Sequence, residues 1–156
     1  MSISGNNSSG LVVAVSTSQK KGERKENVDR AILKENFGII GDAHAGDWHR
    51  QVSLLAMESI DKMKKNLPHL NPGIFAENIT TSGLDLPHLP VGARLKIGDG
   101  VLLEVSQIGK ECHTRCAIYY AAGDCVMPKE GIFAIVLKGG SVQEGDCVEV
   151  IGNVEA

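Results

Sequence analysis

Short apolar runs separated by glycine-containing turns recur along this chain and restrict what it can fold into. Residues 11–16 (LVVAVS), 52–56 (VSLLA) and 132–137 (IFAIVL) are mostly apolar and are short for core helices, which is typical of buried strands. The chain also has 18 glycines, and glycine supplies the positive φ angles that many tight turns require. The pattern predicts a strand-rich chain rather than a helical bundle.

Turn residues predict two β-hairpins. Residues 93–97 and 101–105 flank the sequence Gly-Asp-Gly, and Asp-Gly suits a tight turn whose residues need positive φ. A second hairpin is predicted to join residues 132–137 to residues 147–151 through Gly139 and the turn that follows it. Both hairpins favour an antiparallel architecture.

One stretch changes its hydrophobic period from two to about 3.6. Within residues 57–67 the apolar Ile60 and Leu67 lie on one helical face, and Pro68 ends the predicted helix. A second short helix is expected near residues 117–122. Many strands with one or two short helices predict a mostly β fold, a closed or nearly closed β-barrel, in which closure removes the exposed sheet edges.

Length and apolar content set the expected domain organisation. The 156 residues correspond to one domain. Residues 1–10 are expected to form a flexible tail, and residues 11–153 the barrel domain. No apolar run approaches the roughly 20 residues that a membrane helix needs, and no secretory signal is visible. We therefore expect a cytoplasmic protein without a membrane partner.

The charge distribution gives no argument for nucleic-acid binding. The formal net charge is -3, and no basic stripe runs along any predicted element. The densest basic cluster consists of Lys20, Lys21, Arg24 and Lys25. Acidic residues interrupt this cluster, so it is interpreted as a solvated loop or strand end. No nucleic-acid partner is expected.

The sequence GKECHTRCAI at residues 109–118 has the strongest chemical character. It combines the thiols of Cys112 and Cys116 with His113 and Arg115. Cations beside a cysteine lower its pKa from about 8.5 and favour the nucleophilic thiolate. Arg115 adjoins Cys116, and the predicted helix would begin just after it, where the helix dipole also favours an anion. Cys116 is therefore the best candidate for an activated thiol, with Cys112 as a neighbouring, resolving thiol.

Two other interpretations of the cysteines remain open. A lone cysteine often behaves as a small buried hydrophobic residue, and this is the interpretation for Cys147, which alternates with valines on a predicted strand. A structural zinc site would use Cys112, Cys116, Cys125 and His113. The gaps of three and eight residues between these thiols lack the tight turns that such sites usually have, so a reactive thiol is favoured over structural zinc.

Two further polar segments are candidates for ligand binding. The glycine-rich loop at residues 41–51 offers donors that suit an anionic ligand, and its glycines permit close backbone approach. Its candidate residues are His44, His49, Arg50 and Gln51. In the second segment, at residues 76–81, a carboxylate, an amide and a hydroxyl are set in an apolar frame that suits a polar heterocycle. These are Glu77, Asn78 and Thr80.

Taken in order, these segments resemble the motifs of MOSC domains, named after the C-terminal domain of molybdenum cofactor sulfurases. The sequence GDAHAGDWHRQVSL at residues 41–54 is similar to the first motif, and FAENITTSGL at residues 75–84 to the second. The cysteine segment, followed by EGIF at residues 130–133 and Gly-Asp at residues 145–146, is similar to the third. The resemblance covers nearly the whole chain after the tail.

The resemblance implies a fold and a function. The fold is a β-barrel like the β domain of pyruvate kinase. The function is a molybdenum cofactor-related sulfur carrier or transfer domain, in which Cys116 holds persulfide sulfur with Cys112, His113 and Arg115 around it. Cys116 would also be the thiolate ligand of molybdenum. The cofactor-binding residues would be His44, His49, Arg50, Gln51, Glu77, Asn78 and Thr80.

The resemblance also implies partners and alternatives. The expected partner is a cysteine desulfurase or a molybdenum cofactor biosynthesis protein. The pyridoxal phosphate domain of the sulfurases, with its Schiff-base lysine, has no counterpart in the sequence, so no pyridoxal phosphate site is expected and any sulfurtransferase activity would depend on the partner desulfurase. The alternatives are a non-catalytic module that binds molybdopterin or its metal, and a structural metal-binding or interaction domain.

Overall fold

A computed structural model describes residues 9–20, 25–63, 71–73, 75–109 and 130–153 of the chain. The strands are β1 (Ser9–Thr17), β2 (Glu26–Val28), β3 (Arg30–Lys34), β4 (Gly38–Ile39), β5 (Val52–Ala56), β6 (Ile79–Ser82), β7 (Ala93–Ile97), β8 (Val101–Ile108), β9 (Ile132–Lys138), β10 (Gly140–Gln143) and β11 (Cys147–Asn153). Helix α1 (Met57–Met63) follows β5, and a 3₁₀ turn forms at Leu86–His88. The predominance of strands agrees with the predicted fold class.

The main sheet closes on itself. Its strand order is β11-β7-β8-β9-β5-β6-β1-β2, and β11 also pairs with β1. That last pairing joins the two ends of the sheet into a closed barrel of seven strands, with β2 attached outside the ring. All pairs in the ring are antiparallel except β5 with β6, which is parallel. The predicted closed barrel is confirmed.

Alternation of side chains along the strands fills the interior of the barrel. On β7, Leu95 and Ile97 point inward and are fully buried, whereas Lys96 between them is exposed. Strand β5 is buried along its whole length, because α1 packs against β5 and β6 from outside. The apolar interior therefore stabilises the closed ring chiefly through burial of Val, Ile and Leu.

The first predicted hairpin is confirmed, and the second is wrong. Strands β7 and β8 pair directly across the Gly-Asp-Gly turn. By contrast, β9 pairs with β8 and β5, while β11 pairs with β7 and β1. The intervening residues form β10, which joins β3 and β4 in a separate three-stranded sheet. Local turn residues did not reveal that a strand from earlier in the chain would pair with this connection.

Cys147 also differs from its interpretation as a buried residue. It begins β11 and is exposed as a free cysteine, while Val148 next to it is fully buried. The register therefore directs the valines inward and the thiol outward, as the period of two along a strand requires.

The barrel begins earlier in the chain than the sequence predicts. Ser9 and Gly10, which the sequence placed in the tail, pair with Glu149 and Val148 at the start of β1. No helix within the described ranges is long and apolar enough to cross a membrane. The predicted short helix at residues 117–122 lies outside the described residues.

Candidate functional site

The loop at residues 41–51 lies across the outer wall of the barrel, over β9 and β8. His49 Nε2 lies 2.7 Å from the side-chain oxygen of Gln107, and the Ser106 hydroxyl donates to the His49 carbonyl. The Arg50 guanidinium lies 5.5 Å from the ring centre of Phe133, which is almost completely buried. These contacts fasten the first motif to the ends of strands that border the cysteine segment.

A close backbone approach shapes the start of this loop. Gly38 has a φ of 121°, and a Cβ atom there would lie 2.7 Å from the carbonyl oxygen of Gln51. A larger residue would meet backbone rather than a movable side chain, so the site requires glycine. The Gly46 amide donates to the Phe37 carbonyl at 2.7 Å, which draws the loop back over β4.

A buried ion pair holds the inner side of the loop. Lys25 Nζ lies 2.9 Å from Asp42 Oδ1, and both side chains are fully buried. The other carboxylate oxygen of Asp42 accepts the backbone amide of His44 at 2.9 Å. The interpretation of Lys25 as part of a solvated cluster is therefore wrong, because tertiary packing brings it against a carboxylate 17 residues away.

Asp42 keeps its negative charge despite being buried. Desolvation raises its pKa, but hydrogen bonding with His44 and Lys25 and the charge of Lys25 outweigh that cost. The pKa of Asp42 is consequently held well below its usual value of 3.8. The loop thus carries a permanent internal ion pair at neutral pH.

Aromatic rings extend the site outward from the ion pair. The rings of His44 and Trp48 are parallel, with centres 6.5 Å apart, and Trp48 Nε1 donates to the His44 carbonyl at 2.7 Å. The Arg50 guanidinium lies 4.7 Å from the Trp48 ring centre, a cation–π contact. In the described part of the chain, Arg50 Nε is buried and has no hydrogen-bond partner. That unpaired donor suits an anionic ligand.

The candidate residues of the second motif, Glu77, Asn78 and Thr80, are fully buried. Asn78 accepts the Ser53 amide at 2.9 Å and donates to the Ser16 carbonyl at 3.1 Å. Gln51 accepts the Val136 amide at 2.9 Å. These amide side chains join neighbouring strands on the outer wall behind the loop, and their direct contact with a cofactor stays a prediction.

Glu77 closes a turn that leads to the first motif. It accepts the Gly73 amide at 2.8 Å and the Thr80 hydroxyl at 2.7 Å, and the Gly73 carbonyl accepts the Lys25 amide at 2.7 Å. Complete burial raises the pKa of Glu77, and these hydrogen bonds only partly oppose that effect. The second motif therefore supports Lys25, the ion-pair partner of Asp42 in the first motif, through the backbone.

The four residues of the cysteine site, Cys112, His113, Arg115 and Cys116, lie outside the described residues, as does Cys125. The described chain ends at Gly109 before this segment and resumes at Glu130 after it. The Gly109 amide donates to the Gly131 carbonyl at 2.7 Å, so both junctions lie together beside Gln107 and Phe133. Among the described residues, no three His, Cys, Asp or Glu side chains form a group that could hold a metal ion.

Lys25 is the residue of this site that the sequence analysis missed. Its neighbours in the chain are charged and polar, which favours a solvated loop. A buried aspartate needs a cation, but spacing in the sequence identified neither the burial of Asp42 nor its partner.

Three solved structures with this fold come from bacteria. The YuaD protein from Bacillus subtilis superposes with a TM-score of 0.77 and 22% identity, over 91% of this chain and 95% of that chain. YiiM from Escherichia coli gives 0.67 and 22%, over 93% and 71%. YiiM from Geobacillus stearothermophilus gives 0.68 and 17%, over 91% and 75%. At these identities the likeness establishes the fold alone.

Sequence comparison identifies the family. No curated protein matches the chain. The family model of the MOSC domain matches residues 41–149, a range that contains the loop, the second motif and the cysteine segment. The family is associated with molybdenum cofactor-related functions. On this match, which spans most of the barrel, the chain belongs to the MOSC domain family.

Proposed function

We propose that this protein carries sulfur for the molybdenum cofactor, with Cys116 as the persulfide-bearing residue and the loop at residues 41–51 as the cofactor-binding surface. The observation that carries the proposal is the buried Nε of Arg50, which has no hydrogen-bond partner among the described residues and whose guanidinium packs against Trp48 and Phe133. A family match alone gives the association with the cofactor, whereas Arg50 provides a specific anion-binding group.

The residues of the loop fit the phosphate end of molybdopterin. Arg50 presents a buried Nε donor without a partner among the described residues, and arginine binds phosphate oxygens through parallel hydrogen bonds. His49 is exposed next to it and offers an imidazole at the same surface. When bound, the cofactor supplies the molybdenum centre that receives sulfur.

The position of the loop also supports the assignment of the sulfur chemistry to the cysteine segment. Phe133, against which Arg50 packs, lies two residues after Gly131. Cys112 follows Gly109 by three residues and Cys116 follows it by seven. Both thiols are therefore close in the sequence to the junction beside Phe133.

The proposed sulfur transfer is a persulfide exchange. The Cys116 thiolate attacks the terminal sulfur of a persulfide on the partner desulfurase. A new S–S bond forms on Cys116, the S–S bond of the desulfurase breaks, and the desulfurase cysteine leaves as a thiolate. The exchange needs no added oxidant. Arg115 and His113 would stabilise the attacking anion.

Mass spectrometry tests this step directly. After incubation with a cysteine desulfurase and cysteine, we expect the peptide that contains Cys116 to gain the mass of one sulfur atom. The Cys116→Ser variant should lose the modification, and the Cys147→Ser variant should keep it, because Cys147 is an exposed thiol elsewhere on the barrel. Modification of Cys147 at the same level as Cys116 would contradict the proposal.

Substitution of Arg50 tests the binding surface. Arg50→Met keeps an apolar stem but removes the donors, so we expect molybdopterin that co-purifies with the protein, measured by pterin fluorescence, to fall about tenfold or more, which corresponds to losing a charge-assisted hydrogen bond. Arg30→Met, on an exposed position of β3, is the matched control. Equal retention of pterin by both variants would argue against the loop as the binding surface.

A further inference from the structure

Strand β8 contains an extra residue beside the loop at residues 41–51. The partners of Val105 and Gln107 on β9 are consecutive residues, so Ser106 between them has no partner of its own. Such a β-bulge changes the direction in which the neighbouring side chains point, and bulges are frequent next to functional sites. Here two consecutive polar side chains, those of Ser106 and Gln107, both contact His49.

The side-chain amide of Gln107 has a fixed orientation. Its Nε2 atom donates to the Gly109 carbonyl at 2.7 Å. A carbonyl oxygen only accepts hydrogen bonds, so the reverse orientation of the amide would place two oxygens against each other. The amide oxygen Oε1 therefore points the other way, to His49 Nε2 at 2.7 Å.

This orientation determines which nitrogen of His49 carries hydrogen. Gln107 Oε1 can only accept, so the Nε2 atom of His49 that faces it must donate. In a neutral imidazole with hydrogen on Nε2, the free lone pair is on Nδ1. Coordination of a metal ion through Nε2 would break the bond to Gln107. Among the contacts described for this ring, Nδ1 is therefore the nitrogen left to a ligand.

The same bulge fixes the peptide that leads to Arg50. The Ser106 hydroxyl donates to the His49 carbonyl, which belongs to the peptide bond between His49 and Arg50. The Arg50 guanidinium lies 5.5 Å from the ring centre of Phe133, the residue of β9 that pairs with Gln107. The bulge therefore holds both the ring and the main chain of the residue before Arg50, next to the aromatic ring that Arg50 contacts.

We propose that Ser106 and Gln107 are positioning residues for anion binding by Arg50. Gln107 holds the His49 ring through its Nε2 hydrogen, and Ser106 holds the His49 carbonyl, so the Arg50 side chain starts from a fixed backbone. A group that is held in place before its ligand arrives loses less conformational entropy on binding. The anion rests on the proposed function, in which Arg50 binds the phosphate end of molybdopterin, whereas the hold on His49 does not depend on it.

Nitrogen–proton NMR of the full chain labelled with ¹⁵N-histidine and ¹⁵N-arginine tests the hold on His49 without ligand. His49→Gln and Arg50→Met identify the two side-chain signals by their loss. At pH 8, where an imidazole is ordinarily neutral, we expect a hydrogen-bonded Nε2–H signal from His49 in the wild type and in Gln107→Glu, whose carboxylate still accepts. Gln107→Leu should lose that signal to exchange with water and shift the Arg50 Nε–H signal, and Ser106→Ala should shift the Arg50 signal as well. Gln143→Leu, at an exposed position of β10, is the matched control and should change neither signal.

Binding of inorganic phosphate tests the consequence for Arg50. Trp48 is the single tryptophan of the chain, and its ring centre lies 4.7 Å from the Arg50 guanidinium, so its fluorescence should report an anion at that group. We expect the Kd for phosphate to rise about fivefold in Gln107→Leu, the effect of one net hydrogen bond, and to stay unchanged in Gln143→Leu.

A wild type without the Nε2–H signal of His49 would overturn the inference, and so would unchanged His49 and Arg50 signals in folded Gln107→Leu. The wild-type spectrum alone keeps the inference falsifiable if a variant does not fold. If the wild type shows the expected His49 signal but binds no phosphate, the anion surface of the proposed function is contradicted and the role assigned to the bulge falls with it. Phosphate binding by the wild type with an unchanged Kd in Gln107→Leu contradicts the positioning alone.

Discussion

Two buried carboxylates on the outer wall of the barrel behave in opposite ways. Asp42 faces the ammonium of Lys25 at 2.9 Å, and its pKa is lowered in spite of burial. Glu77 receives its hydrogen bonds from neutral groups, the amides of Gly73 and Phe75 and the hydroxyl of Thr80, and its pKa is raised by burial. Burial is common to both, so the partner decides the direction of the shift.

The difference separates two roles within one site. The Lys25–Asp42 pair brings fixed charge to the loop that carries His44 and Arg50. This loop is the proposed binding surface for an anion. Glu77 accepts the Gly73 amide, and the Gly73 carbonyl accepts the Lys25 amide. The charged network of Lys25 and Asp42 is therefore hydrogen-bonded to a neutral scaffold, the turn around Glu77. Substitutions can weaken the network and the scaffold separately.

Removing the cation from the charged network should have the largest effect. We expect Lys25→Met to lower the free energy of unfolding by about 3–5 kcal/mol, because it leaves Asp42 buried without a counter-charge. Denaturant titration measures the loss. The double variant Lys25→Met with Asp42→Asn should recover part of it, since no unpaired charge remains, and equal losses in the single and double variants would refute this explanation.

A substitution in the neutral scaffold should destabilise the protein less than the loss of Lys25. In Glu77→Gln an NH₂ group replaces a carboxylate oxygen that now accepts hydrogen bonds, so a buried donor faces other donors. We expect a loss of about 1–3 kcal/mol in the free energy of unfolding. Glu149→Gln, at an exposed position of β11, serves as the matched control in the same titration, and a similar small change in both variants would show that Glu77 is dispensable.

Asp42 and Glu77 should also make the free energy of unfolding depend on pH in opposite directions. The contribution of Asp42 is present above its usual pKa of 3.8 and is lost as pH falls towards its lower folded pKa. The contribution of Glu77 to stability is fully present below pH 4.5, its usual pKa, and is lost as pH rises towards its higher folded pKa. Each effect amounts to about 1.4 kcal/mol for every pH unit between the folded and unfolded pKa.

Unfolding measured from pH 2 to pH 8 distinguishes these contributions. Asp42→Asn should flatten the acid side of the profile, and Glu77→Gln should flatten the side above pH 4.5. Identical profiles for the two variants would contradict the opposite pKa shifts of the two carboxylates.

The smallest expected effect concerns the edge of the charged network. Ser18→Ala removes one hydrogen-bond acceptor of Lys25 and should cost about 0.5–1.5 kcal/mol, a typical net value for one hydrogen bond. Ser141→Ala, on an exposed position of β10, is the control. A loss from Ser18→Ala as large as that from Lys25→Met would mean that the hydroxyl, and not the ion pair, stabilises the loop.

Local sequence was sufficient for much of the barrel. Apolar runs and turn residues predicted strands β1 and β5 and the β7–β8 hairpin, because strand burial and tight-turn geometry are encoded within a few neighbouring residues. The separate pairing of β10 with β3 was not predicted, since it joins residues more than 100 positions apart, and no local pattern specifies such a partner.

The candidate site divides in the same way. The sequence alone determined the order of the three motifs, the polar character of the loop at residues 41–51 and the concentration of thiols at residues 112–116. Only the tertiary structure decided that Lys25 is buried against Asp42, that Cys147 points outward and that Glu77 supports a turn. Composition and spacing determine which groups are available, whereas burial and pairing depend on which distant segments the closed barrel brings into contact.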